Sequence, residues 1–485
     1  MRTGVLASKL AFFACCITTW AVGVALAPPF ARANDWKIQP SAIAYESFTS
    51  NAGLEPSGKE KSDFFTTISP TIDIEREGPR FILDLNYNLN AVIYANEHSL
   101  DEINHDLRLD SKAVVVPELL FLDADAAIAQ EPKESERPSS GSRLTASTNE
   151  STVYTYRISP SLRNHFGNFA NSELRYTFGQ VFGSGLADAT IQRVDSSLTS
   201  GSQFPRLSWA LNENAAFSSG SRDVSDIFAA ASGEYHVNRK IDLIGSAGYE
   251  RISDETLDDE PDGPVASAGV RLTPGPRTSL EVLYNHRFDS NFATGNLQYD
   301  IDTQSSVRAS YRERVETSQL VFIDNLDFLE RDETGAFVDS RTERLFHLDE
   351  STFGLEDNAF RLRTASVSLH LVRGRNTWDA LAYWEQRTTD AIDERDTAFG
   401  GGFTWTHQLS DVASFNIAAR YRHENSDNPS ESNRVDLAGA GVALVNSLDD
   451  TLDAVLAVNY TRQIADNPDD EFDETVVSVG LIKHF

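Results

Sequence analysis

The chain predicts a transmembrane, antiparallel up-and-down β-barrel of about 22 strands, with about 18 as the lower bound of the count. Three observations carry this. Apolar and polar residues alternate with period two through most of the sequence. The segments are joined by connections that are short and long in turn. The last residue, Phe485, closes a strand-like run, Thr475-Val-Val-Ser-Val-Gly-Leu-Ile-Lys-His-Phe485, at the far end of a chain that begins like a secreted precursor.

Residues 1–33 read as a signal peptide. Arg2 and Lys9 supply the positive start, Leu10 to Leu26 the apolar stretch, and Ala31-Arg-Ala33 the small residues of a cleavage site. The apolar run nearly reaches the roughly 18 residues of a spanning helix. A membrane anchor is therefore the competing reading, and a lipid on Cys15 a third. The Ala-x-Ala ending and the lack of a second long apolar run favour cleavage. Cys15 and Cys16 both lie in this leader, which leaves the remainder without disulfides, thiolate metal ligands or a cysteine nucleophile. One domain, 34–485, follows. Its first strand begins near Trp36, so the sequence leaves no space there for the amino-terminal plug domain of the large energy-coupled transporters.

Charge narrows the partners. With 42 basic and 73 acidic residues the net charge is −31, and losing Arg2, Lys9 and Arg32 with the leader makes it more negative. Nucleic-acid binding is disfavoured by that balance. Disorder is disfavoured by 10% aromatic and 40% hydrophobic content.

The strands justify themselves in turn. In Phe81–Ala95, Leu83, Leu85, Tyr87, Leu89, Ala91 and Ile93 lie on one face, and Asp84, Asn86, Asn88 and Asn90 on the other. A water-soluble sandwich would show the same alternation, so the connections decide. Short links recur at Gly78–Arg80, Pro117–Glu118, Val237–Lys240, Pro274–Arg277, Gly374–Asn376 and Asp449–Asp450. Longer polar ones fall at 50–62, 97–103, 131–150, 253–263, 317–357, 426–432 and 465–473. This is the asymmetry of a membrane barrel, with short periplasmic turns and long extracellular loops.

Arginines mark one face of several strands: Arg157, Arg163, Arg175, Arg308, Arg312, Arg314, Arg361, Arg363, Arg420 and Arg422, each flanked by apolar or aromatic residues. An arginine facing lipid costs roughly 2–4 kcal/mol at the midplane, so these ten are expected to face the lumen. There they either form a basic track for carboxylated or phosphorylated sugars or pair with inward acids such as Asp84, Asp123, Asp125 and Glu281 and brace the wall. The longest loop, 317–357, contains the apolar run Leu320-Val-Phe-Ile-Asp-Asn-Leu-Asp-Phe-Leu329. It is expected either to enter the pore as a constriction or to form an outward hairpin. The acidic loops Asp254–Asp262 and Asp466–Glu474 lack the Asp-x-Asp-x-Asp-Gly spacing of a calcium loop and read as a solvated rim. No metal site or cofactor is expected. The ten histidines show no His-Glu-x-x-His, and there is no Gly-x-Ser-x-Gly. His370, His423 and His484 read as lumen or interface residues.

Phe485, with Leu481 and Val479 in phase, forms the terminal signal by which barrel-assembly machinery recognises its substrates. Lys483 departs from it, because an aromatic or apolar residue is usual there. The chain as a whole resembles the outer-membrane β-barrel proteins associated with PEP-CTERM/exosortase systems, a group within the putative β-barrel porins. The resemblance lies in Trp36-Lys-Ile-Gln-Pro40, Ser62-Asp-Phe-Phe-Thr-Thr-Ile-Ser-Pro70, the tyrosine-rich strand to Tyr94, Leu119-Leu-Phe-Leu-Asp-Ala-Asp125, Tyr311-Arg-Glu-Arg314, Gln319 and Arg373-Gly-Arg-Asn-Thr377. Each motif is short, and no catalytic residues come with them. The resemblance implies a Gram-negative outer-membrane channel linked to exopolysaccharide export. Its expected partners are outer-membrane lipid and lipopolysaccharide, the assembly machinery and an anionic polysaccharide. Two other readings stay open: a closed structural or adhesive barrel that binds through its acidic loops, and an outer-membrane enzyme.

Overall fold

Twenty-two antiparallel strands form one sheet that closes on itself. The computed structural model describes residues 36–133, 149–184, 186–220, 223–254, 262–287, 290–331, 337–339, 344–345, 353, 360–389, 394–427 and 432–485. The expected leader, 1–33, lies outside them, as does most of the 254–262 loop. The first half comprises β1 (Trp36–Thr49), β2 (Asp63–Arg76), β3 (Phe81–Tyr94), β4 (Glu102–Val116), β5 (Leu120–Pro132), β6 (Glu150–Phe166), β7 (Ala170–Gly183), β8 (Leu186–Ser200), β9 (Leu207–Ser219), β10 (Val224–Asn238) and β11 (Ile241–Asp254). The second comprises β12 (Asp262–Gly275), β13 (Thr278–Arg287), β14 (Ser290–Asp302), β15 (Ser305–Glu316), β16 (Phe360–Arg373), β17 (Asn376–Thr389), β18 (Glu394–Ser410), β19 (Ala413–Asp427), β20 (Ser432–Asp449), β21 (Leu452–Ala465) and β22 (Phe472–His484).

Each strand pairs with its neighbours in sequence. The ring is completed where Ser41–Thr49 of β1 runs against His484–Val476 of β22. Polar side chains stitch that seam on its inner side: the Ser47 and Ser478 hydroxyls lie 2.8 Å apart, and Thr49 donates to Glu474 at 2.7 Å.

Side-chain phase follows from the register, because cross-strand partners point to the same face. Asp125 opposite Arg157, Thr177 opposite Arg193, Arg271 opposite Glu281 and Gly402 opposite Arg420 all lie on the inner phase. The opposite phase carries Leu174, Tyr176, Leu211, Phe217, Tyr284, Phe403, Val442 and Leu456, exposed by 39–60% and in position to meet lipid.

The connections separate onto two ends. At one end lie 77–80, 117–119, 167–169, 239–240, 276–277, 374–375 and 450–451, with Gly167 and Gly374 in the left-handed region (φ 57° and 61°) that such tight reversals need. At the other lie the connections 50–62 and 466–471, and there too β5 ends and β6 begins and β15 ends and β16 begins, the sites of long connections read from the sequence. The start of β1 and the end of β22 fall at the short-turn end.

Candidate functional site in the barrel lumen

The connection after β15 enters the barrel. Thr317 caps a helix, α1 (Ser318–Asn325), its side chain accepting from the Leu320 N–H at 3.3 Å, and a 3₁₀ turn, Leu326–Phe328, extends it. Phe322, Ile323, Leu326 and Leu329 are buried against inward-facing residues of four strands: Ala127 and Ala129 of β5, Val153 of β6, Val181 of β7, and Leu186, Ala189 and Ile191 of β8. On the other side Val321 joins an apolar cluster with Phe353, with Phe360 and Leu362 of β16 and with Ala398 of β18. A side chain at Gly179 would begin 2.6 Å from Ile323 Cδ1, which explains glycine at that inner-wall position. The inserted decapeptide therefore follows the first of the two expected courses. The chain beyond it forms a separate small sheet of three short strands, Leu329–Arg331, Phe337–Asp339 and Arg344–Leu345.

Charged contacts fix the helix in depth. Arg157, buried at the middle of β6, donates to Asp125 at 2.8 Å and pairs with Asp327 of the 3₁₀ turn. Arg193 at the middle of β8 pairs with Asp324 at 2.7 Å, and the Gln319 amide donates to the Ala187 carbonyl at 3.4 Å. Beyond Leu326 and Asp327 a cavity of about 350 Å³ continues the lumen, bordered by Lys112, Asp123, Arg163 and Arg175.

The ten predicted lumen arginines divide into three groups. Arg157, Arg163 and Arg175 lie on the inner phase and are ion-paired: Arg163 with Glu173 at 3.1 Å, and Arg175 with Asp123 at 2.6 Å and Glu173 at 3.0 Å. Arg308, Arg312, Arg314, Arg420 and Arg422 share that phase through their partners Ser368, Thr364, Leu362, Gly402 and Gly400. Arg361 and Arg363 do not, and the expectation for this pair is corrected. Leu362 between them takes the inner phase, and the two arginines point outward, both pairing with Glu313 of β15 at 3.7 and 2.9 Å. The cause is α1: it supplies Leu362 with an apolar partner inside, so the rule of a wet lumen inverts at that level. The pair also stands at the loop end of β16, where an outward arginine avoids the midplane cost.

Bracing by inward acids, the alternative to a basic track, holds for Asp123, Asp125 and Glu281, the last with Arg271 at 2.8 Å. Asp84 lies on the lumen phase opposite Asp110. Arg193, Arg271 and Arg387 escaped the sequence reading. The same alternation marks them, since Arg271 sits between Val270 and Leu272; Arg387 pairs with Asp396 at 2.8 Å.

His370 and His484 face the lumen beside Asp379 and Asp453 at 2.7 and 3.2 Å, whereas His423 lies on the outer phase with Asp436. Glu234, His236 and Asp242 bring one ligand atom each within 4.8 Å of one another. Glu234 is already held by Arg271 at 2.7 Å, and Arg206 and Arg239 border the adjoining cavity, so this cluster belongs to the ion-paired wall. Phe485, Leu481 and Val479 all point outward, 75%, 48% and 59% exposed, and the Phe485 N–H donates to the Pro40 carbonyl at 3.0 Å.

No protein-family model matches the chain, and no curated protein matches it in sequence. Its fold does match solved outer-membrane receptors. The siderophore receptor PirA from Acinetobacter baumannii is 8% identical, with 93% of this chain and 80% of that one covered and a TM-score of 0.52. A mutant of the ferric enterobactin receptor PfeA from Pseudomonas aeruginosa is 9% identical, with 93% and 80% covered and a TM-score of 0.51. The open form of the ferric-catecholate import receptor Fiu from E. coli K12 is 10% identical, with 94% and 82% covered and a TM-score of 0.51. At such identities the likeness is one of fold: a large barrel of the outer-membrane receptor type.

Proposed function

We propose that this chain is a constricted channel of the Gram-negative outer membrane, serving an anionic polysaccharide or its fragments rather than carrying out catalysis. One observation carries the proposal: a helix from the longest connection lies inside the barrel at mid-wall depth, held by apolar packing and by Arg157 and Arg193. A wall lined with fixed, mostly compensated charges beside such a helix leaves a narrow polar path, along which the inner-phase Arg308, Arg312, Arg314, Arg420 and Arg422 set guanidinium groups that an acidic glycan can contact. The barrel's partners in this reading are membrane lipid and lipopolysaccharide, the assembly machinery that reads Phe485, and the glycan; nucleic acid is not among them. The link to exopolysaccharide export and to PEP-CTERM/exosortase systems rests on the sequence resemblance. That the fold neighbours are transport receptors favours translocation over enzymatic activity.

A second reading, a closed barrel that binds through its loops, is favoured by the same helix if it never leaves the lumen. Conductance of the refolded barrel in planar bilayers decides between them, measured with and without 317–357 replaced by a short Gly-Ser link. An anion-favouring current that rises when the segment is removed is expected. Silence in both forms sinks the channel and leaves surface binding.

A further inference from the structure

The part of the inner wall formed by β18 to β21 differs from the ion-paired wall under α1. Arg420 of β19 stands opposite Gly402 on one side and Gly439 on the other. Its side chain lies flat across Gly439, with Nε 2.9 Å and Cγ 3.2 Å from where a side chain at 439 would begin. From the opposite direction Asn459 of β21 lies across Gly441, its Oδ1 2.3 Å from the corresponding point there. Thr461 faces Gly439 directly, and Gly441 faces Asn459. Two polar side chains thus lie over two successive inward positions of one strand, 439 and 441, that carry no side chain of their own. The result is a cavity of about 280 Å³ lined by Arg420, Asn459, Thr461, Thr404, Leu381 and Asp379. Asp379 is engaged by His370 at 2.7 Å. Among the described residues no carboxylate forms an ion pair with Arg420, whereas Arg157, Arg163 and Arg175 each have one.

We propose that Arg420, Asn459 and Thr461 form a subsite for an acidic sugar on the lumen wall, floored by Gly439 and Gly441. The chemistry selects that ligand class. A guanidinium fork takes a carboxylate through two parallel hydrogen bonds. An amide and a hydroxyl beside it offer donors and acceptors to neighbouring ring hydroxyls. Leu381 gives the C–H face of a ring an apolar surface. A simple anion would use only the guanidinium and would need neither the cleared floor nor Asn459. This inference deepens the channel reading and rests on it for its physiological sense, but binding can be measured without current.

The test is calorimetry on the intact barrel refolded in detergent, titrated with trigalacturonate, maltotriose and inorganic phosphate. Trigalacturonate is expected to bind at least about tenfold more tightly than maltotriose, and Arg420→Gln to remove at least about tenfold of that affinity. Gly439→Val is expected to do the same while keeping the arginine, because it pushes the side chain off the wall. Both variants should retain the β-sheet circular dichroism of the parent. Equal binding of the charged and neutral trisaccharides overturns the subsite, as does an unchanged Arg420→Gln. Phosphate competing as well as trigalacturonate would also overturn it, by reducing the site to a bare anion contact. A barrel silent in bilayers that still binds trigalacturonate through Arg420 would sink the channel and leave the subsite standing.

Discussion

Truncating Phe322 and Ile323 together to alanine is expected to free α1 from the wall and raise conductance, whereas removing its ionic contacts is not. Both side chains are fully buried, at 0% exposure. Phe→Ala at such a site costs about 3–5 kcal/mol and Ile→Ala about 2–5 kcal/mol. The four buried apolar side chains of the helix and its extension, Val321, Phe322, Ile323 and Leu326, contribute about 1.5–3 kcal/mol each at most, before the entropy of ordering the segment is subtracted. The double variant therefore removes most of the docking energy. A loss of about 5 kcal/mol shifts the docked-to-free ratio more than about a thousandfold. Asp327 and Asp324 are 51% and 27% exposed, and Asp125 still holds Arg157 when Asp327 is neutralised. The arginines are 8% and 17% exposed, but the aspartates keep contact with water, so the pairs contribute about 1 kcal/mol each and Asp324→Asn with Asp327→Asn should shift the same ratio by about 30-fold. Single-channel recording in planar bilayers reads both variants as open probability. If the asparagine pair opens a pore that the alanine pair leaves shut, while the loop-replaced barrel conducts, ionic latching dominates and the packing argument is refuted.

Other perturbations test separate parts of the structure. Gly179→Leu should act as a wedge, since its first carbon would meet Ile323 at 2.6 Å, and conductance should rise toward that of the loop-replaced barrel. Arg157→Met should lower stability by about 3–5 kcal/mol by stranding Asp125 in a buried position, seen as a shift in the urea midpoint of the refolded barrel. Deleting Phe485 should sharply reduce folded protein in the outer membrane of cells yet change the urea midpoint of refolded protein little, because the ring is 75% exposed and packs on nothing inside. Equal losses in both assays would make the residue structural rather than a recognition signal.

Much of the barrel was legible because period two and loop length are local properties. Phe81–Ala95 shows its two faces residue by residue, and every short link named from the sequence lies at one end of the barrel. The lumen was legible only where it is wet. Arg157, Arg308 and Arg420 obey the rule that charge faces inward, and Arg361 and Arg363 break it because a segment some 40 residues away in sequence fills the space that Leu362 faces. Alternation reports polarity on each side of a strand, and it cannot identify which side is which when a loop makes part of the interior apolar. The glycines behind Arg420 were illegible for a related reason. Gly439 matters through a side chain two hairpin partners share in space, and no spacing within Leu437–Gly441 announces it.

The seam between β1 and β22 bears on synthesis. Ser47 and Ser478, which touch there, are 431 residues apart in sequence, while every other junction joins strands made one after the other. Hairpins can therefore accumulate as the chain emerges, but the ribbon they build keeps two open edges until the final strand is present. β22 serves two ladders at once, with β21 and with β1, so a chain that lacks Phe472–His484 forfeits both. The product would be a sheet with unsatisfied edges, prone to pair with other chains. Ring closure thus works as a check on β22 itself: only a chain that carries this strand can become a closed, membrane-compatible object.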